Sequence, residues 1–88
     1  MDRDEFASLL SGDGFQEVKT VSREAGFMAE HSHPFEAKAL ILEGQIMIAT
    51  AGGERTYTEG KVFHLLPGVP HTETYGPAGV TYLVGRKT

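Results

Sequence analysis

The chain has 88 residues, no cysteine, and a formal net charge of −4 from eight Lys and Arg against twelve Asp and Glu. That length makes one small domain with a modest core, and disulfides are excluded as its staples. The basic residues are scattered rather than gathered into a stripe, which argues against nucleic-acid binding, and no apolar run reaches membrane-span length.

Taken in chain order, the first ten or so residues read as a helix. Phe6, Leu9 and Leu10 fall at i, i+3 and i+4, Asp2 or Asp4 can cap the start, and Ser11-Gly12-Asp13-Gly14 stops it. The segment Met1-Asp2-Arg3-Asp4-Glu5 is charged and lacks the apolar centre of a signal peptide, so a cytoplasmic protein is expected. Residues 1–14 are therefore read as an N-terminal helix and turn, and residues 15–88 as the body of the domain.

From Phe15 onward the pattern is that of strands. Phe15, Glu17, Lys19 and Val21 alternate with Gln16, Val18, Thr20 and Ser22, as on a partly exposed strand. Ala37–Leu42 is apolar at nearly every position, as in a strand covered on both faces. Ile46–Thr50 follows the turn Glu43-Gly44-Gln45, and Ala51-Gly52-Gly53-Glu54 is a hairpin signal before Arg55–Thr58. Val62–Leu66, His71–Tyr75 and Val80–Val84 complete about eight short strands at close spacing, the pattern of a sandwich or small barrel.

Three of the four histidines occupy two short segments, His31-Ser32-His33-Pro34 and Pro67-Gly68-Val69-Pro70-His71. Side chains two apart on a strand share a face, so His31 and His33 emerge together. A third imidazole arriving from a distant strand makes a three-nitrogen metal site. His64 lies in an apolar run without such support and reads as a packed or hydrogen-bonded histidine.

On these residues the chain resembles the cupin superfamily of small β-barrels. The first cupin motif is matched by Gly26, His31, His33 and Gly44, with Leu40-Ile41-Leu42-Glu43-Gly44 especially similar; the second is matched by Gly60, Gly68 and His71, with Pro67 at its variable position. The two motifs and the strands between them cover about half the chain. The resemblance implies an all-β cupin (double-stranded β-helix, or jelly-roll) barrel over residues 15–88, behind a short N-terminal helix.

Two departures stand out. The first glycine is one residue nearer His31 than usual. The family's acidic ligand is missing, since its place falls on Ala37, or on Lys38 with the alternative spacing. Glu36 is adjacent, but strand parity turns it to the other face unless a bulge intervenes. Parity offers a replacement: with His71 pointing inward, Glu73 and Tyr75 point inward too. Glu73 is expected to complete the metal sphere or to act as a general acid or base, and Tyr75 to donate a hydrogen bond or proton.

The expectation is thus a metal-binding cupin with His31, His33 and His71 as ligands and Glu73 and Tyr75 as catalytic candidates. The cofactor is a divalent transition metal (zinc, iron, nickel, manganese or copper), and the partner a small polar molecule. The resemblance implies dioxygenase chemistry if iron binds, and Lewis-acid isomerisation or elimination if zinc or nickel binds. It also implies a homodimer. The competing expectation is a non-catalytic small-molecule-binding or sensor cupin with a degenerate metal site.

Overall fold

Two long strands, β3 (Glu36–Thr50) and β6 (His71–Lys87), pair antiparallel along most of their length and form the spine of the molecule. In this computed structural model, which describes all residues 1–88, four shorter strands complete the sheet. They are β1 (Glu17–Arg23), β2 (Gly26–His31), β4 (Gly53–Thr58) and β5 (Val62–Leu65). β1 and β2 pair with β6, whereas β4 and β5 pair with β3. The result is a small antiparallel cupin barrel preceded by one helix, α1 (Arg3–Gly12).

The eight short strands expected from the turn signals are six, because two of those signals bend strands without ending them. At Glu43-Gly44-Gln45 the register of β3 against β6 shifts on both sides of Gly44 while pairing continues. A bulge bends and twists a strand in this way while keeping the ladder on either side. Gly44 has φ +74°, and a Cβ there would run into the Gly79 carbonyl, so two strand backbones meet at this corner. Residues 76–79 make the matching bend in β6, where the ladder skips from Tyr75 to Val80.

The apolar run of β3 is covered on both faces, as its composition requires. Ala37, Ala39 and Ile41 point into the barrel with Ile46, Ile48, Phe63, Tyr75, Tyr82 and Val84. Leu40 points the other way and packs with Leu83 of β6 against Phe6, Leu10 and Phe15. The helix thus lids the outer face of the β3–β6 pair. Its start is fixed by a capping box in which Asp2 accepts from the Glu5 backbone N–H and Glu5 accepts from that of Asp2. No helix is long and apolar enough to cross a membrane.

Candidate metal centre

β2 and β6 begin the site. His31, the last residue of β2, stands opposite His71, the first of β6, so cross-strand pairing alone brings two imidazoles together. His33 lies two residues past the end of β2, outside the strand, yet its ring joins the same group. The ring centroids are 4.3 Å apart for His31 and His71, 5.0 Å for His33 and His71, and 5.2 Å for His31 and His33. The loop before His71 is tied to this segment: Gly68, at φ +78°, donates its backbone N–H to the His33 carbonyl at 2.8 Å. The two histidine segments are therefore one built unit.

Strand parity in β6 holds as expected. His71, Glu73 and Tyr75 are all buried, whereas Thr72 and Thr74 between them are half-exposed. The side chains of His31, His33, His71 and Glu73 offer one donor atom each, all within 4.8 Å of one another. Glu73 Oε2 stands 3.2 Å from His31 Nε2 and 3.3 Å from His71 Nε2. The other carboxylate oxygen accepts from the Tyr75 hydroxyl at 3.0 Å.

The tautomers follow from the backbone. His31 Nδ1 lies 2.8 Å from the Ala29 carbonyl and His71 Nδ1 lies 3.0 Å from the Val69 carbonyl. A carbonyl oxygen only accepts, so both Nδ1 atoms carry protons, and in its neutral form each ring presents a bare Nε2 lone pair. His71 Nε2 is fully buried and makes no hydrogen bond, even though Glu73 Oε2 is close by. Two lone pairs and a carboxylate oxygen thus face one another at close range, which is unfavourable unless a cation sits among them. A proton or a metal ion fills that requirement. Nδ1 bonds to carbonyls are also how metal-ligating histidines are commonly oriented.

The surroundings of His33 favour its neutral form. Burial lowers its pKa first, the neighbouring His71 and His31 add to this, and Arg86 contributes further, against an opposing pull from Glu73. Its ring stacks on Phe35 at 4.7 Å and 11°. Tyr75 is pushed up to about 12, by burial and then by the Glu73 charge and hydrogen bond, so its phenol keeps its proton and donates.

Position 37, where the acidic ligand of the first motif was expected, holds an alanine that lines the same cavity as His31, His33 and Glu73. Glu36 faces away and pairs instead with His64 Nε2. His64 is thus a hydrogen-bonded histidine outside the cluster, and Glu36 is no substitute ligand. The cavity has a volume of about 260 Å3. Tyr82, Arg23, Arg86 and Lys19 also line it, none of which the sequence patterns singled out, whereas Tyr75 lies behind Glu73 and does not reach the wall.

Comparison with known proteins follows the same lines. Residues 21–84 match the model of the AraC-like ligand binding domain. No curated protein matches the chain. Among solved structures, a cupin-2 domain protein from Shewanella frigidimarina is 18% identical over 96% of this chain and 90% of its own, with a TM-score of 0.67. A DUF861 family protein from Thermotoga maritima is 15% identical over 94% and 90%, with a TM-score of 0.70. The EutQ protein of Clostridium difficile is 9% identical over 78% of this chain and 53% of its own, with a TM-score of 0.70. The chain spans about half the length of the EutQ proteins it matches. At such identities the likeness concerns the fold. With the family model covering more than half the chain, this protein belongs to the AraC-like ligand binding domain family, within the cupin superfamily.

Proposed function

We propose that the chain is a metal-binding cupin whose His31, His33 and His71 hold a divalent transition metal and whose cavity admits a small polar ligand. The observation that carries this reading is the pair of Nδ1–carbonyl bonds, which leaves the Nε2 atoms of His31 and His71 bare and facing Glu73. Three imidazole nitrogens suit zinc, iron, nickel or copper better than magnesium or calcium, and the carboxylate oxygen keeps manganese among the candidates. Bound there, the metal supplies Lewis-acid polarisation of a ligand oxygen, or oxygenation chemistry where it is iron.

The remaining work belongs to the chain's own side chains. Glu73 completes the donor set or takes a proton from the ligand; the Tyr75 hydroxyl fixes the carboxylate for either role. His31 and His33 are half-buried and line the cavity, so the cluster is approached from that side. The reading takes a homodimer as the working state, because so short a chain buries little core alone; light scattering measures it.

A second reading draws on the family match, since the matched model describes a ligand-binding domain. On that reading the cavity binds a small molecule without transforming it. Elemental analysis of untagged protein purified without chelators tests the first reading, alongside His31→Ala and His71→Ala. Near one transition metal per chain, lost in both variants, supports it. A metal-free wild type that cannot be reloaded overturns it and leaves the ligand-binding domain.

A further inference from the structure

The cavity beside the histidine cluster has an uneven charge distribution. Of the eight Lys and Arg in the chain, three (Lys19, Arg23 and Arg86) line it, against one of the twelve acids, Glu73. In a protein of net charge −4 this is the reverse of the overall balance. The β1–β6 pairing produces it. Lys19 and Arg23 alternate with Val21 along one face of β1, and Arg86 continues the face of β6 that carries Tyr82 and Val84.

These cations are largely uncommitted. Lys19 and Arg23 make no ion pair, and Arg86 makes only a loose contact of 3.7 Å with the exposed carboxylate of Glu17. Such a pair at the surface contributes little. Arg86 is instead placed by stacking: its guanidinium lies 4.7 Å from the centre of the Phe35 ring, and Phe35 stacks on His33. The guanidinium is thereby held on the wall of the cavity it shares with His31, His33 and Glu73, with donors to spare. Apart from these cations, the two histidines, Glu73 and the Tyr82 hydroxyl, the wall is apolar, with Met28, Ala37, Phe63 and Leu65 on it.

We propose that the ligand of this cavity is a small carboxylate, its anionic group received by Arg86 with Arg23 and Lys19, and its other oxygen directed to the histidine cluster. The orientation of that other oxygen rests on the metal-centre reading above; the preference for an anion rests on the three cations alone. Arg pairs with a planar carboxylate through two parallel N–H donors, which a point charge does not offer. A cavity of about 260 Å3 lies below the range of roughly 300–1,000 Å3 that takes drug-sized ligands, so the acid is short, with a small apolar body.

The test reads binding and uses lactate and its neutral amide, lactamide, in chemical-shift titrations of metal-free and zinc-loaded protein. Lactate is expected to bind about 10- to 100-fold more tightly than lactamide, the range for a charge-assisted bond. Arg86→Gln should reduce that preference to about threefold or less without changing zinc content. The double variant Lys19→Gln, Arg23→Gln should reduce it in part, which keeps the test open should Arg86→Gln fail to fold. Equal binding of acid and amide, no binding of either, or a preference untouched in both variants overturns the proposal. Inorganic phosphate outcompeting lactate overturns the carboxylate class. The two readings fail separately: an acid preference in protein that takes up no zinc sinks only the metal centre, and zinc uptake without an acid preference sinks only this inference.

Discussion

Replacing Tyr75 with phenylalanine removes one hydroxyl and leaves the ring, so the barrel core keeps its volume. The hydroxyl donates to Glu73 Oε1 at 3.0 Å, and both residues are 8% exposed. Water therefore cannot readily replace the lost donor. A hydrogen bond to a charged group contributes about 1.5–3 kcal/mol. For a domain of this size about 2 kcal/mol corresponds to a melting temperature lower by roughly 8–16 °C. The second consequence separates support from chemistry. If Glu73 is a metal donor, Tyr75 orients it from behind, and loss of such a partner weakens metal affinity about 10- to 100-fold. Melting of metal-free protein reads the first effect, and zinc competition against a chromophoric chelator reads the second. A lower melting temperature with unchanged zinc affinity would refute the reasoning, leaving Tyr75 as a brace for the core and Glu73 outside the metal sphere.

Ala37→Glu places a carboxylate on the same cavity wall as His31, His33 and Glu73. It should raise zinc affinity at least about tenfold, or 1.4 kcal/mol, in the chelator competition; no gain in a folded variant would mean that position 37 does not reach the cluster. Gly44→Ala should destabilise by about 1–3 kcal/mol in urea unfolding, because φ is +74° and the new Cβ meets the Gly79 carbonyl. Alkaline unfolding supplies the pH test. Tyr75 is raised from 10.0 to about 12 and Tyr82 is raised as well, in both cases chiefly by burial. A folded pKa above the unfolded one means that the native state holds its protons longer. The Tyr75 contribution is fully present below pH 10 and is lost as the pH rises through about 12. Tyr75→Phe should show a shallower loss of stability across that window, followed by circular dichroism.

Much of the barrel was legible because burial on two faces leaves a mark that short strands cannot hide. Ala37–Leu42 is apolar at every position but Lys38, since 37, 39 and 41 fill the barrel while Leu40 lies under the helix. Strand count was not legible. Glu43-Gly44-Gln45 has the composition of a turn, and composition cannot say whether a glycine ends a ladder or bends it. The difference lies in the crossing of Gly44 with Gly79, distant in sequence. The histidine cluster could be found from spacing, and Glu73 and Tyr75 from parity, since period 2 fixes a side chain's face once one residue on the strand is placed. Their division of labour could not. Only the distances show Glu73 turned toward the imidazoles and Tyr75 turned toward Glu73.

The cations make the sharper case. Along the chain Lys19, Arg23 and Arg86 look scattered, and scattered charge counts against the stripe that a nucleic acid needs. A cavity needs no stripe. It needs a few side chains of matching parity on strands that become neighbours, and the β1–β6 register, with Glu17 opposite Arg86 and Arg23 opposite Val80, supplies that. Linear charge pattern and local field are therefore separate quantities in a barrel whose first and last strands pair. The same topology bears on the absent acid at position 37. Ala37 and Glu73 face one cavity from different strands, so a carboxylate on β6 can restore the count of donors, three nitrogens and one oxygen, that the first motif leaves incomplete. With the acid on β6, only a methyl group stands at position 37, so the wall beside its cross-strand neighbour Arg86 stays small and uncharged. On that arrangement an anionic ligand meets Arg86 without a second carboxylate to repel it.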